Sequence, residues 1–233
     1  MRRIIWLFLA VLAVGGCQQL PPEYDSQYTP SRTATSSPVP AIAFIGDSYT
    51  AGTPVGGQRE HGWPALLVTQ LLAQGIEVRP QVAARRGAGY IKRGSSQNGA
   101  FIDQVQEVVD RSDRLVVIFG SPNDANAASD RLTAAVKGTI SEVRRVAPGA
   151  KILAVGPVWT RPEPSPGVLQ ARDIVKAEAT AASVTFVDPV ADAWFINRPD
   201  LLGADAVNPT DAGHVFMAER LAPVIAQLLQ AAS

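Results

Sequence analysis

The sequence has little cysteine, little histidine and no net charge, and each shortage excludes a class of function. Its 233 residues contain 21 Lys+Arg and 21 Asp+Glu, but only two histidines and one cysteine. A balanced charge without a basic run excludes an electrostatic nucleic-acid binder. One cysteine excludes a disulfide framework and a cysteine-rich zinc module, and two histidines leave little for a metal site, so no metal or cofactor is expected. The hydrophobic fraction of 46 % is sufficient for one buried core.

The first seventeen residues have the pattern of an export signal. Arg2 and Arg3 precede an apolar stretch at residues 4–14, which is shorter than the roughly 20 residues of a membrane-spanning helix. Residues 14–17 (Val-Gly-Gly-Cys) resemble the bacterial lipobox, in which the signal is cut before a cysteine that is then lipidated. This interpretation makes Cys17 a membrane anchor. The alternative is an ordinary signal peptide with an incidental cysteine.

Residues 18–40 differ in composition from the rest of the chain. They are rich in Pro, Ser, Thr and Gln, and such a segment buries too little apolar surface to offset its ordering entropy. We therefore expect a linker here and a folded domain at residues 41–233. The predicted location is the bacterial cell membrane through lipidated Cys17, or the envelope and extracellular space, and the domain is expected to be a monomer.

Hydrophobic periodicity predicts strands that alternate with helices. Short apolar runs predict five buried strands, at residues 41–45, 77–83, 115–119, 152–155 and 184–187. Helical spacing of apolar residues predicts helices at residues 63–74, 101–109, 127–146, 168–182 and 210–230. This order predicts an α/β fold with a five-stranded parallel sheet covered on both faces. Functional residues are then expected beyond the carboxyl ends of the strands.

Three segments with polar or glycine residues follow predicted strands, and a fourth lies just before the last helix. They are the serine segment (46–49, Gly-Asp-Ser-Tyr), the glycine segment (86–89, Arg-Gly-Ala-Gly), the asparagine segment (120–124, Gly-Ser-Pro-Asn-Asp) and the acid segment (205–209, Asp-Ala-Val-Asn-Pro). Each segment alone is also explained by a tight turn or a helix cap. All four in this order are much harder to obtain by chance.

Together the segments resemble those of the GDSL or SGNH hydrolases, a family of serine esterases and lipases, over residues 41–233. The resemblance implies a three-layer α/β/α sandwich and hydrolysis of acyl esters with Ser48 as the nucleophile. It implies an oxyanion hole formed by the backbone N–H of Ser48, the N–H of Gly87 and the side chain of Asn123. Asp205 corresponds to the triad acid. The asparagine segment is one residue longer than the usual Gly-x-Asn-Asp.

The sequence departs from the family at the catalytic base. A serine hydroxyl needs a neighbouring base to become nucleophilic, and the family places a histidine three residues after the aspartate. Asn208 occupies that position here, and an amide takes no proton at neutral pH. His214 lies three residues after Asp211 and is a possible substitute base, although its place in the last helix favours packing. His61 is a weaker candidate, expected in a solvated loop.

Three functional hypotheses follow. The first is a tethered esterase or lipase that acts on a small-molecule, lipid or glycan ester. The second is a lapsed member of the family that binds an acyl or glycan ligand without hydrolysis. The third, a flavodoxin-like nucleotide binder, lacks a phosphate-binding loop and a complete dinucleotide fingerprint. The rings of Trp159, Trp194 and Phe195 are predicted either to line a pocket or to pack on the core.

Overall fold

A computed structural model describes residues 39–94 and 99–230. The predicted signal peptide, Cys17 and nearly all of the predicted linker lie outside these residues. Within them the predicted α/β fold is confirmed, with a five-stranded parallel sheet between helices. The predicted element ends agree with the structure to within two residues.

The strands and helices alternate along the chain. The strands are β1 (Ala41–Gly46), β2 (Arg79–Ala84), β3 (Asp113–Phe119), β4 (Lys151–Val155) and β5 (Thr185–Val187). The helices are α1 (Ser48–Ala51), α2 (Trp63–Ala73), α3 (Phe101–Val108), α4 (Ser129–Val146), α5 (Pro166–Ala181) and α6 (Asp211–Gln230). Short 3₁₀ turns occupy Arg59–His61, Pro122–Asp124 and Pro199–Leu201. None of the described helices is long and apolar enough to cross a membrane.

The sheet separates two hydrophobic clusters. Its strand order is β2-β1-β3-β4-β5, and every pairing is parallel. Alternate residues of a strand face opposite sides. Ile42 and Phe44 therefore pack with residues of α2 and α6, whereas Ala43 and Ile45 pack with residues of α3, α4 and α5. Because the strands are buried on both faces, their sequences are continuous apolar runs and do not alternate between apolar and polar residues.

The strand order reverses between β1 and β3, and this decides where a site forms. The chain leaves β1 toward one edge of the sheet and leaves β3 toward the other. The connections diverge there, so the carboxyl ends of these two neighbouring strands border a crevice. The serine segment follows β1 and the asparagine segment follows β3. The fold thus places two of the four segments side by side.

Candidate active site

Ser48 opens helix α1 directly after strand β1 and is half-buried. Asp47 caps this helix, because its Oδ1 accepts the backbone N–H of Tyr49 at 2.9 Å. The turn is tight: a Cβ at Gly46 would lie 2.2 Å from Oγ1 of Thr50. A glycine-aspartate-serine turn therefore places Ser48 beyond the carboxyl end of β1, as the first residue of helix α1.

The asparagine segment is bonded to the serine segment through Asp47. The Ser121 hydroxyl donates to Oδ2 of Asp47 at 2.7 Å, and Nδ2 of Asn123 donates to the same oxygen at 3.1 Å. Nδ2 of Asn123 also donates to the Ala88 carbonyl at 2.8 Å. An asparagine amide has two hydrogens to donate, and here both have protein acceptors. An oxyanion bound beside Asn123 would therefore share one of these hydrogens or displace its acceptor.

The glycine segment is shaped by Asp124, the last residue of the asparagine segment. Its buried carboxylate accepts the backbone N–H groups of Tyr90, Ile91 and Lys92 at 2.6 to 3.2 Å. Gly89 passes so close that a Cβ there would lie 2.3 Å from Asp124 Oδ2.

Gly87 is exposed and adopts a φ of +75°, a left-handed conformation that favours glycine. Among the described residues its N–H has no hydrogen-bond partner. An exposed N–H without a partner among the described residues can donate to a ligand. The oxyanion role of Gly87 stays a prediction.

Asp205 and Asn208 form a compact loop before helix α6. Oδ1 of Asp205 accepts the backbone N–H groups of Val207 and Asn208, each at 2.9 Å. Oδ2 accepts the side-chain Nδ2–H of Asn208 at 2.7 Å. The Asn208 amide and these backbone bonds lower the pKa of Asp205, so the carboxylate is ionised at neutral pH. The amide thus lies against the carboxylate, as an imidazole Nδ1–H does in a triad.

Tyr49 connects the serine segment to this loop. Its hydroxyl donates to the Val207 carbonyl at 2.5 Å, and its ring stacks on Phe119 at a centroid separation of 6.5 Å. Burial raises the pKa of Tyr49, so the hydroxyl keeps its proton and remains a donor. The residue after Ser48 is therefore in direct contact with the residue before Asn208.

His214 is fully buried on α6, and its ring nitrogens lie against Trp63 and Gly57. Its Nδ1 accepts the Trp63 backbone N–H at 3.3 Å, so the remaining proton resides on Nε2. Nε2 has no partner within the described part of the chain, and a Cβ on Gly57 would lie 1.9 Å from it. Burial lowers the pKa of His214 to about 4. These contacts make His214 a neutral packing residue between α6, Trp63 and Gly57.

His61 lies at the surface on the turn Arg59–His61, with 59 % of its side chain exposed. Its Nδ1 is 3.8 Å from Asp211 Oδ2, and its Nε2 is 3.8 Å from Glu60 Oε1. Both neighbours are carboxylates, and neither contact involves Ser48. No group of histidine, cysteine and acidic residues within residues 39–94 and 99–230 is arranged to hold a metal ion.

The three aromatic residues Trp159, Trp194 and Phe195 differ in burial. Trp194 and Phe195 are buried in the core cluster and pack on Phe216 of α6, so they support the fold. Trp159 is half-buried in the loop after β4, where its Nε1 donates to the Glu163 carbonyl and the Arg161 guanidinium lies 5.8 Å from its ring. Of these three rings, only Trp159 is available to border a ligand.

Sequence reasoning missed the roles of Asp47, Ser121 and Asp124. The sequence explained the aspartates next to Ser48 and Asn123 as helix caps. Asp47 does cap helix α1, but it also accepts hydrogen bonds from Ser121 and Asn123. The roles of Asp47 and Asp124 could have been predicted from their positions, because each follows the end of a buried strand. An aspartate at the end of a buried parallel strand has to find hydrogen-bond donors on a neighbouring loop, because little water reaches it.

Known proteins similar to this chain identify its family. The sequence pattern of the GDSL-like lipase/acylhydrolase family matches residues 44–216. The chain belongs to this family. It is 41 % identical over 191 residues to a protein described as GDSL lipase Rv0518 from Mycobacterium tuberculosis, covering 81 % of this chain and 82 % of that protein.

Solved structures share the fold of this family member. A lipase/acylhydrolase from Enterococcus faecalis superposes with a TM-score of 0.64 at 18 % identity, covering 81 % of this chain and 96 % of that one. An acetyl xylan esterase gives the same TM-score of 0.64 and identity of 18 %, and the match covers 79 % of this chain and 99 % of that one. Such low identities establish a common fold.

Proposed function

We propose that this GDSL-family chain is a carboxylic ester hydrolase that uses Ser48 as its nucleophile and acts at the cell envelope. The observation that carries the proposal is the bond from the Tyr49 hydroxyl to the Val207 carbonyl at 2.5 Å. It joins the turn that presents Ser48 to the loop that presents Asp205 and Asn208. An acyl ester would place its carbonyl carbon at Ser48 and its oxyanion near the N–H groups of Ser48 and Gly87.

The absence of a histidine at position 208 limits the rate. Asn208 keeps the contact with Asp205 but accepts no proton from Ser48. A serine hydrolase that lacks one triad member retains roughly 10³–10⁴-fold acceleration over water from its oxyanion hole and from binding. We therefore assign this chain a slow esterase activity, in which Ser48 remains the proposed nucleophile.

Lipidation of Cys17 would place this activity at the membrane surface. The Val-Gly-Gly-Cys pattern at residues 14–17 supports this location, and the polar composition of residues 18–40 suits a spacer. Replacement of Cys17 by serine tests it. The Cys17→Ser variant should appear in the soluble fraction, whereas a Ser26→Ala control should stay with the membrane.

Hydrolysis of a short-chain nitrophenyl ester tests the activity. We expect the purified protein to hydrolyse the ester faster than Ser48→Ala, and we expect Asn208→His to exceed the wild type. A wild-type rate equal to that of Ser48→Ala would contradict the proposed reaction.

A ligand-binding protein without turnover is the second candidate function. The geometry of the two histidines favours it, because His214 is enclosed by Trp63 and Gly57 and His61 pairs with exposed carboxylates. A non-hydrolysable phosphonate ester analogue distinguishes the two functions. Tight binding with no Ser48-dependent turnover would identify a lapsed enzyme.

A further inference from the structure

Asp47 is a buried carboxyl group at the centre of the site, although the family resemblance gives it no role. Its side chain is 1 % exposed. Oδ1 accepts the Tyr49 N–H at 2.9 Å, and Oδ2 accepts from the Ser121 hydroxyl at 2.7 Å and from Nδ2 of Asn123 at 3.1 Å. The two oxygens therefore contact the two segments that carry the nucleophile and the amide of the oxyanion hole.

Among the described residues, no cation is among the groups that shift the pKa of Asp47. Burial raises its pKa to about 6, and the hydrogen bonds from Ser121 and Tyr49 only partly oppose this. The charged group that acts on it is the Asp124 carboxylate, which raises the pKa further. The neighbouring Tyr49 phenol stays neutral. The charge of Asp47 is therefore held by hydrogen bonds rather than by an ion pair.

We propose that Asp47 is a positioning residue, whose Oδ2 fixes the amide plane of Asn123 relative to Ser48. The kinetic part of this inference rests on the proposed ester hydrolysis. The structural part does not, since it concerns a hydrogen bond in the resting protein. Hydrogen bonds to a charged acceptor are roughly twice as strong as neutral ones, so the ionised form of Asp47 is the form that holds Asn123.

The hydrogen bond from the Ser121 hydroxyl lowers the pKa of Asp47 and so favours its ionised form. It donates to the same oxygen as Asn123 and to no other described group, and its Oγ accepts the backbone N–H of Asn123 at 3.1 Å. Ser121 belongs to the longer asparagine segment of this chain. Ser121 thus supplies a second contact between that segment and Asp47.

The test is a pH titration of the Asn123 side-chain amide in ¹H–¹⁵N spectra of the whole protein, with the signal assigned by its loss in Asn123→Ala. We expect both amide protons to shift with one midpoint near pH 6 in the wild type. The shift should vanish in Asp47→Asn, which keeps a helix-capping side chain. Asp113→Asn is the matched control, because Asp113 is a buried carboxyl at the start of β3, and it should leave the titration unchanged.

Ser121→Ala provides a second variant if Asp47→Asn does not fold. Loss of the hydroxyl should raise the midpoint by about one pH unit, since a donor to the charged form is removed. An Asn123 amide that does not titrate between pH 4 and 8 would overturn the proposal. A titration that persists unchanged in Asp47→Asn would overturn it as well.

A kinetic cycle in the Asn208→His protein separates positioning from general stability. Asp47→Asn should lower kcat about tenfold with KM within about twofold, because an oxyanion-hole donor acts in the transition state. In an Asn123→Ala background the same change should cost less than about threefold. Equal losses in both backgrounds would overturn a role through Asn123. If no variant hydrolyses esters, the proposed function fails while the amide titration still decides the role of Asp47.

Discussion

Asn208 donates its side-chain N–H to Oδ2 of Asp205 at 2.7 Å, which is the contact that a triad histidine makes through Nδ1–H. The amide reproduces one half of the histidine's role, the hydrogen bond to the aspartate that orients the side chain at position 208. The half that accepts a proton is missing, because the other end of the amide is a carbonyl oxygen. The loop around Asp205 is therefore already arranged for an imidazole.

Replacement of Asn208 by histidine should increase ester hydrolysis by about 10²-fold or more, since general-base catalysis contributes typically 10²–10⁴-fold. The gain should require both Ser48 and Asp205. Initial rates on a short-chain nitrophenyl ester measure it, with Asn208→Gln as a control that adds length but no base. A gain that survives Ser48→Ala would show that the new histidine acts elsewhere.

Replacement of His214 by glutamine should reduce stability and leave Ser48-dependent hydrolysis within about threefold of the wild type. The buried Trp63 N–H loses its acceptor, and an unsatisfied buried donor costs about 1–3 kcal/mol. Urea unfolding measures this cost, and His61→Gln is the exposed control, expected within about 0.5 kcal/mol of the wild type. Abolished hydrolysis in a stably folded His214→Gln protein would identify His214 as the base.

Asp47 and His214 should affect the pH dependence of stability in opposite directions. Burial raises the pKa of Asp47 from 3.8 to about 6, so its stabilising effect is present below pH 3.8 and is lost as the pH rises through 6. Burial lowers the pKa of His214 from 6.5 to about 4, so its effect is present above pH 6.5 and is lost as the pH falls through 4. Each effect is on the order of 3 kcal/mol.

The two contributions therefore nearly cancel in the wild type between pH 4 and 6.5. Asp47→Asn should lose unfolding free energy on acidification across this range, and His214→Gln should gain it. Urea unfolding at pH 4, 5 and 6.5 measures both slopes. Slopes equal to that of the wild type in both variants would contradict the assignment.

Alanine at position 89 should displace the glycine segment. The new Cβ would lie 2.3 Å from Asp124 Oδ2, and overpacking of this kind typically costs about 1–3 kcal/mol. Gly149→Ala is the matched control, because nothing lies within 4 Å of a Cβ there. Gly89→Ala should lower both the melting temperature and the hydrolysis rate. A Gly89→Ala protein as stable and active as the control would mean that the loop moves freely.

The layers of the fold could be predicted from the sequence because its strands are buried on both faces. Apolar runs such as 115–119 leave few other interpretations, and all five strands were found. Helix α1 was missed, since its four residues are too short to show a helical period. The bond from Asn123 to Asp47 spans 76 positions. No local pattern reveals such a pair, so both aspartates beside the key residues were explained by capping alone.

The contacts that build the loop at 205–209 are made largely by its backbone. Tyr49 donates to the carbonyl of Val207, and Asp205 accepts the N–H groups of Val207 and Asn208. The Val207 side chain itself is 44 % exposed. Position 207 can therefore be varied without breaking the bonds that hold the loop, which makes it a suitable position for changing substrate preference by saturation mutagenesis.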